Sequence, residues 1–568
     1  MQIPSPRRAP AVAGAVAACV LAVSLATAVT GRAADGRARA AEGAVPGAAA
    51  VHRAQEADAL SGRLPLGPPG LEETRTVREI APGLTHVAIE RGRASADDFW
   101  TVTVGVATTE GDAAELEEAV RAAGYEPRRD HTAGPDPADP DGPPLGWLVR
   151  TGRYPDEAAA RTVRNDLAVR VPAARVHATA EDGNGTSGPW SLDILVVDPG
   201  LFEGSIGSRL ARGTVSGRET TGSIAARAGA LAAVNGGYFV VGDAPPVPGP
   251  RAAGTEGDPG GIAVIRGDLV SEAVDGRPAL LVPDGPGRGA SVRRLRTEIT
   301  AVASGGARRE VTGLNRQAGL VLNCGGVGNA RPFTRPAHDY TCGNDDELIA
   351  VTPVFGDTAP QGPGHQVTLD SAGRVTGVRQ ERGGPVPPDG VLLQGTGAGA
   401  VWLRENAVAG AAVRLESSVL DAELGVQPAR IGRSSVVNGG PLLLRDGLVV
   451  LDPVRDGWSP EAIEGHDRAA FYNGWYQRRN PRTAAGVTED GRIILLTADG
   501  RRPGHSVGLS IPETAEVMRG LGAVDAVNLD GGGSTAMVVH GELQGLPGDP
   551  AGERPVGDAL VLLPDGGG

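Results

Sequence analysis

Apolar residues at Trp100, Val102, Val104 and Val106 alternate with polar or small ones, as along one face of a strand. They then recur at helical spacing through Ala113, Leu116, Ala119, Val120 and Ala123, ending at Gly124. A Pro- and Asp-rich loop from Pro135 to Pro144 follows, and the order restarts: Trp147-Leu148-Val149, Gly152, a helix from about Asp156 to Leu167, and a strand through Val176. The halves share a signature, Val102-Thr103-Val104-Gly105 against Val149-Arg150-Thr151-Gly152, with both Val and Gly displaced by 47 residues. This β-α-β repeat predicts a small ferredoxin-like βαββαβ module over 97–180. Beyond a Gly-rich break at Asp182–Gly188, short apolar runs alternate with Gly, Asn and Asp turns up to Pro564. Ala485–Thr488 and Ile493–Ala498 flank Asp490-Gly491 as a hairpin. Ser510 and Glu513 form a capping box for a helix at about Pro512–Leu521, and a strand through Val524–Leu529 follows. The predicted class is α+β: a β-rich mixed domain with few helices over 188–565, preceded by the small module.

Composition changes this picture at the N-terminus. Arg7 and Arg8 precede an uncharged stretch from Ala9 to Gly31 with small residues at Ala26-Thr27-Ala28, which predicts a secretory signal peptide over 1–33. An uncleaved anchor is the alternative and the only route to a membrane. Val16-Ala17-Ala18-Cys19 and Arg7-Arg8 also fit lipoprotein and twin-arginine signals. Residues 34–96, rich in Ala, Gly and Pro, read as a flexible linker. Removal of the signal leaves Cys324 and Cys342, which in an oxidising compartment are expected to pair as a disulfide. The 568 residues include 54 cationic side chains and not one lysine, so lysine Schiff-base and P-loop chemistry are excluded. A net charge of −14 without a dense basic run excludes nucleic acid as the expected partner.

Candidate chemistry gathers where three apolar strands end in similar turns: Asn235-Gly236-Gly237-Tyr238-Phe239, Asn438-Gly439-Gly440 and Asn528-Leu529-Asp530-Gly531-Gly532-Gly533-Ser534-Thr535. Asn-Gly and Asp-Gly are hairpin signals in their own right. Glycine runs also let backbone N–H groups approach a ligand closely. In order along the chain, Asn235-Gly-Gly-Tyr-Phe239, Asn480-Pro-Arg482-Thr483-Ala484, Asp499-Gly500-Arg501 and Asn528-Leu-Asp530-Gly-Gly-Gly-Ser534 resemble the phosphodiester glycosidase family over roughly Trp190–Leu563. Glu553-Arg554-Pro555-Val556 fits that family's closing strand. The repeat at Phe99–Ala178 resembles the SPOR (sporulation-related repeat) domain, and that resemblance implies binding to peptidoglycan glycan strands.

The resemblance implies an exported hydrolase that cleaves a sugar-1-phosphodiester or related glycosidic bond in cell-envelope or extracellular glycans. No cofactor and no metal are expected. Such a reaction needs carboxylates for a developing oxocarbenium ion and a cation for the departing phosphate. Asp530 and Asp499 are the candidates for the first task, their individual roles left open, and Arg482 for the second. Asn235 completes the expected catalytic set. Gly236, Gly237, Tyr238, Asn438, Gly439, Asn528, Gly531, Gly532, Gly533, Ser534 and Thr535 are the expected substrate-binding residues. A noncatalytic wall-glycan-binding protein and a glycosidase acting on unphosphorylated glycans are the alternatives. Gly395-Thr-Gly397-Ala-Gly-Ala400 matches a dinucleotide fingerprint but reads as a β-turn without a following amphipathic helix. His338 and Asp339, shortly before Cys342, are expected at a rim held by the disulfide.

Overall fold

The computed structural model describes residues 62–566, apart from 243–246, 250, 275, 284–288, 325–335, 425–426, 429–430 and 460–465. The expected signal peptide and the first part of the expected linker lie outside the described residues. The remainder of that linker is not one. Glu73–Ala81 and Leu84–Arg91 pair as an antiparallel hairpin at the edge of the largest sheet. Leu84, Val87 and Ile89 are fully buried there. The Ala/Gly/Pro-rich composition around them masks this alternation and the Pro82-Gly83 turn between the strands.

That sheet has eight strands in the order Glu73–Ala81, Leu84–Arg91, Trp190–Val197, Ile493–Ala498, Arg482–Thr488, Ala523–Asn528, Leu442–Arg445 and Leu448–Val449. Its central strands are buried on both faces, which is why they read as nearly continuous apolar runs. One face packs on the helix Ile511–Gly520, whose predicted capping box is present. The other face packs on a second eight-stranded sheet, which contains Ser435–Asn438, and on a five-stranded sheet. In the five-stranded sheet Ala232–Asn235 lies between Met537–Val539 and Asp558–Leu563. The three strands that lead into the Asn-Gly and Asp-Gly turns therefore belong to three different sheets.

The small module forms as expected. Its four strands order as Pro127–His131, Trp147–Tyr154, Trp100–Ala107 and Arg175–Ala178, covered on one face by Glu110–Ala122 and Glu157–Leu167. The opposite face is not free. Arg150 is 2 % exposed, pairs with Asp182 at 2.5 Å and donates to Thr103 Oγ1, while Val106 and Leu148 pack with Ala469 and Tyr472. The fingerprint-like stretch differs from expectation, because a helix, Gly397–Asn406, follows the strand Val391–Gly395. Small residues in its first turn hide its periodicity. That strand pairs antiparallel with both neighbours, which is not the parallel β-α-β setting of a dinucleotide site.

Candidate active site

The three turns close on one another. Asn235 Nδ2 donates to the Asp530 carbonyl at 2.7 Å, and its Oδ1 accepts from Thr483 Oγ1 at 2.7 Å and from the Ala536 N–H at 3.2 Å. Tyr238 N–H donates to Asn438 Oδ1, and Asn438 Nδ2 returns a bond to the Tyr238 carbonyl. Gly440 N–H donates to the Asn528 carbonyl, and Asn528 Nδ2 donates to the Tyr238 hydroxyl at 2.8 Å. Asn235 and Asn438 thus spend their side chains on holding the turns together. They position the site from within.

The glycines serve the same purpose. A Cβ on Gly237 would stand 2.5 Å from Asn438 Nδ2, and one on Gly439 would stand 2.7 Å from the Asn528 carbonyl. The backbones approach each other, so these two glycines are explained by turn-on-turn packing and not by ligand contact. Gly236 lies against the Asp558 carboxylate, which accepts the Gly237 N–H. Gly531 lies against the Pro481 carbonyl. Gly532 lies beneath Arg501, and Gly533 beneath Arg554 and Asp549. Asp549 is within 3.5 Å of Arg501 and 2.8 Å of Arg554, so two guanidinium groups are gathered over the triple-glycine turn.

Asp530 follows this convergence. Its Oδ1 accepts the Gly531 N–H at 2.9 Å, and burial pushes its carboxyl up to about 7, opposed by the Ser534 hydroxyl and Arg554. Thr535 Oγ1 accepts a long bond from Thr483 at 3.4 Å and lies deeper. Asp499 is elsewhere. It ends the strand Ile493–Ala498, separated from the Asn528 strand by Arg482–Thr488, which is roughly 10 Å at normal strand spacing. Its carboxylate is occupied by His505 Nε2 and the Leu546 N–H, each at 2.7 Å. The structure does not bring Asp499 and Asp530 together as a pair.

Arg482 is buried, with Nε donating to the Leu509 carbonyl and Nη2 to those of Trp475 and Arg478. It pairs with no carboxylate among the described residues, and burial pushes its guanidinium down to about 10. Arg277 is alike: its Nη groups donate to the Gly260 and Gly457 carbonyls, its guanidinium lies 4.1 Å from the Trp458 ring centre, and burial pushes it to about 10. Both arginines act electrostatically on Tyr238, whose hydroxyl is pushed up by burial. Two buried positive charges thus flank the tyrosine.

An aromatic wall completes the site; the sequence pointed to Tyr238 and His338, but not to Trp458, Phe471 or Trp475. Tyr238 stands 5.4 Å from Trp458, which stacks on Trp475 at 6.0 Å; Trp475 stacks on Phe471 at 5.4 Å. His338 lies among Tyr238, Trp458, Phe471 and Trp475, all within 5.9 Å. Only 3 % of the chain is aromatic, so this clustering is a signal in itself. The neighbouring Asp339 is exposed and raises the Asp530 carboxyl by like charge. The Cys324–Cys342 disulfide forms and closes the segment that carries both His338 and Asp339. Burial pushes His338 down to about 4, so its imidazole is neutral at ordinary pH.

Trp475 lies on a π-helical turn, Asn473–Gln477, after the helix His466–Tyr472. Such turns often occur at functional sites. The small module holds this segment: Gln477 Nε2 donates to the Gly134 and Pro135 carbonyls, Arg468 pairs with Asp136 at 2.7 Å, and Arg479 donates to the Ala180 carbonyl. Four polar atoms around the wall are buried with no hydrogen-bond partner: Arg277 Nε, His338 Nδ1, Trp458 Nε1 and Asn528 Oδ1. Buried polar groups are rarely left unpaired, so these four call for partners that the described residues do not supply.

Known proteins share parts of this arrangement. Residues 365–563 match the phosphodiester glycosidase family model. N-acetylglucosamine-1-phosphodiester alpha-N-acetylglucosaminidase of Mus musculus is 33 % identical over 114 residues, and that of Homo sapiens 31 % over 114 residues. These segments are 20 % of this chain, and the chain spans about a fifth (21 %) of the length of the curated relatives it matches. The crystal structure of a candidate exported protein from Burkholderia pseudomallei is 36 % identical, with a TM-score of 0.78, covering 89 % of this chain and 98 % of that one. The matched family segment contains Asn438, Arg482 and the Asn528–Ser534 turn. By its sequence, the stretch 365–563 of this chain is a phosphodiester glycosidase domain.

Proposed function

We propose that the chain is an exported hydrolase that cleaves a sugar-1-phosphodiester, with the sugar against Trp475 and the phosphate toward Arg277 and Arg482. The observation that carries this reading is the four unpartnered polar atoms beside two buried guanidinium groups that lack carboxylate partners. Aromatic faces suit the apolar face of a pyranose, and unneutralised arginine suits an anion. In the reaction the C1–O bond breaks and its electron pair leaves on the phosphate oxygen. A water oxygen adds to C1 and its proton passes to a carboxylate. Asp530, poised near neutrality, and Asp339, exposed at the rim, are the two carboxyl groups on this side. Asn528 and Tyr238 orient the sugar or the water between them. Asn235 and Asn438 hold those groups in place.

Export is supported by the signal-like N-terminus, by the paired cysteines and by the description of the Burkholderia pseudomallei relative as exported. Envelope or extracellular glycan is the substrate class that this location offers. The small module is the support for the π-helical turn, since its inner face is spent on Arg150–Asp182 and on Tyr472. We therefore read its likeness to SPOR domains as one of topology, with wall glycan as a ligand only for its outer edges.

The test is release of reducing sugar from methyl N-acetylglucosamine-1-phosphate diester by the mature chain, beside an unphosphorylated methyl glycoside. Turnover of the diester alone, weakened selectively by Arg277→Ala, is the expected result. Equal turnover of both substrates favours an ordinary glycosidase, and binding without turnover a glycan-binding protein.

A further inference from the structure

A concave site borders the aromatic cluster. A cavity of about 400 Å³ is bounded by Asp258–Gly261, Ser271–Val274, Arg296–Thr300, Glu310–Thr312, Arg316 and Val321–Cys324. That volume is within the range of small-molecule sites. Its lining is acidic. Asp258, Glu272, Glu298 and Glu310 contribute carboxylates, and the cations are Arg296 and Arg316. Arg316 is already committed, pairing with Glu272 and with the buried Glu347, each at 2.6 Å. Arg296 lies 3.9 Å from Glu298. Asp258 and Glu310 have no ion pair among the described residues; burial pushes the Asp258 carboxyl well up, so the unpaired charge of the lining rests on Glu310.

Asp258 makes this more than an acidic patch. It is 5 % exposed, and its Oδ1 is buried with no hydrogen-bond partner. No described group donates to either carboxylate oxygen. A buried carboxyl with no donor bears the full desolvation cost of an unmet hydrogen bond. Other buried carboxylates of the fold behave differently. Asp558 takes the Gly237 N–H and the Ser208 hydroxyl, and Asp456 takes Arg294 and the Leu442 N–H. Asp258 stands out as a group shaped to meet a donor that the chain itself does not supply.

The kind of donor follows from the spacing. Among the described residues no three His, Cys, Asp or Glu side chains are placed to hold a metal ion. Acidic groups spread along a cavity without converging fit a cation that is itself extended. We infer that this cavity binds a small organic cation with two or more ammonium groups, one donating to Asp258 and another meeting Glu298 and Glu310 at the open end. The cavity shares a wall with the aromatic site. Asn323 lines it, donates to the Gly260 carbonyl and accepts the Asp339 N–H.

The test is calorimetric titration of the full chain with 1,4-diaminobutane, with 1,4-butanediol as a neutral isostere and calcium chloride as the metal control. Binding of the diamine alone is expected. Asp258→Asn should weaken it at least tenfold. Glu298→Gln/Glu310→Gln, both at exposed positions that leave the fold intact, should weaken it several-fold. Equal binding of diamine and diol overturns the proposal, as does tighter binding of calcium. So does diamine affinity unchanged in both variants. The readout is binding and not turnover, so its failure is separate from any failure of the proposed hydrolysis.

Discussion

Asp530 and Asp499 are the same residue type, each just beyond the end of a strand in one sheet, and their surroundings are opposite. Asp499 is saturated: His505 and the Leu546 N–H occupy its carboxylate, and the Ser506 hydroxyl takes its carbonyl. Asp530 takes one backbone N–H from its own turn, with the Ser534 hydroxyl and Arg554 beside it, and acts electrostatically on the buried Tyr238. A carboxylate committed to two donors fixes a loop, whereas one with spare capacity beside unmet polar atoms is available for chemistry. Sequence position does not separate the two. Partners do.

The largest effect expected from this difference is on turnover. Asp530→Asn should lower kcat by about a hundred- to ten-thousand-fold, the range for loss of an acid or base, with no loss of thermal midpoint. Asp499→Ala should do the reverse. It leaves the Leu546 N–H and His505 without their acceptor and should cost about 1–3 kcal/mol of stability with kcat within a few-fold. Steady-state kinetics and denaturant melts on both variants decide it. A folded Asp499→Ala protein as inactive as Asp530→Asn would return Asp499 to the chemistry and break the comparison.

The rim gives the next effect. Removing the disulfide by Cys324→Ser/Cys342→Ser should cost up to roughly 3 kcal/mol, the loop-closure value for a segment of this size, with sequence separation 18. It should also raise KM, because His338 and Asp339 lose their tether. An unchanged KM at temperatures where the variant is fully folded would detach the rim from substrate binding. Smaller again is Trp475→Ala, where loss of one stacking face should raise KM roughly tenfold, about 1.4 kcal/mol, at nearly constant kcat. Equal losses in kcat and kcat/KM would instead place Trp475 in the transition state.

Much of this was legible in the chain, and what was hidden has physical reasons. Strand and helix periodicity located the small module, the hairpin around Asp490-Gly491 and the capped helix. The Asn-Gly and Asp-Gly turns pointed to Asp530 because a triple glycine between an acid and Ser-Thr is hard to explain as a turn alone. Pairing was invisible, since Asp499 and Asp530 look alike until strand order places Arg482–Thr488 between them. The glycines were read as openings for a ligand, whereas Gly237 and Gly439 are small because other turns press on them. The wall as a whole escaped because Tyr238, His338, Trp458 and Trp475 come from four separate segments, three of them loops with no periodic pattern. Arg277 escaped for the same reason, one arginine among many.

The most delicate way to sharpen the comparison is pH. Burial raises Asp530 from the ordinary carboxyl range to about 7, so the fold favours its protonated form. The stability tied to that proton is complete below about pH 4 and is lost as pH rises through about 7. Asp530→Asn removes the titration, so the variant should gain on the native chain between pH 5 and pH 8, by a few degrees in thermal midpoint. Asp499 is also raised by burial, with His505 pulling the other way. His505→Ala removes that pull, so it should enlarge the loss of stability with rising pH and leave the pH dependence of kcat unchanged. The kcat profile itself belongs to Asp530. A rise through about pH 7 assigns it the base or nucleophile, and a fall assigns it the acid. A profile flat from pH 5 to pH 8 would remove Asp530 from the proton-transfer step. Its proton would then matter to folding alone, and the two corners of the sheet would differ less than their hydrogen bonds imply.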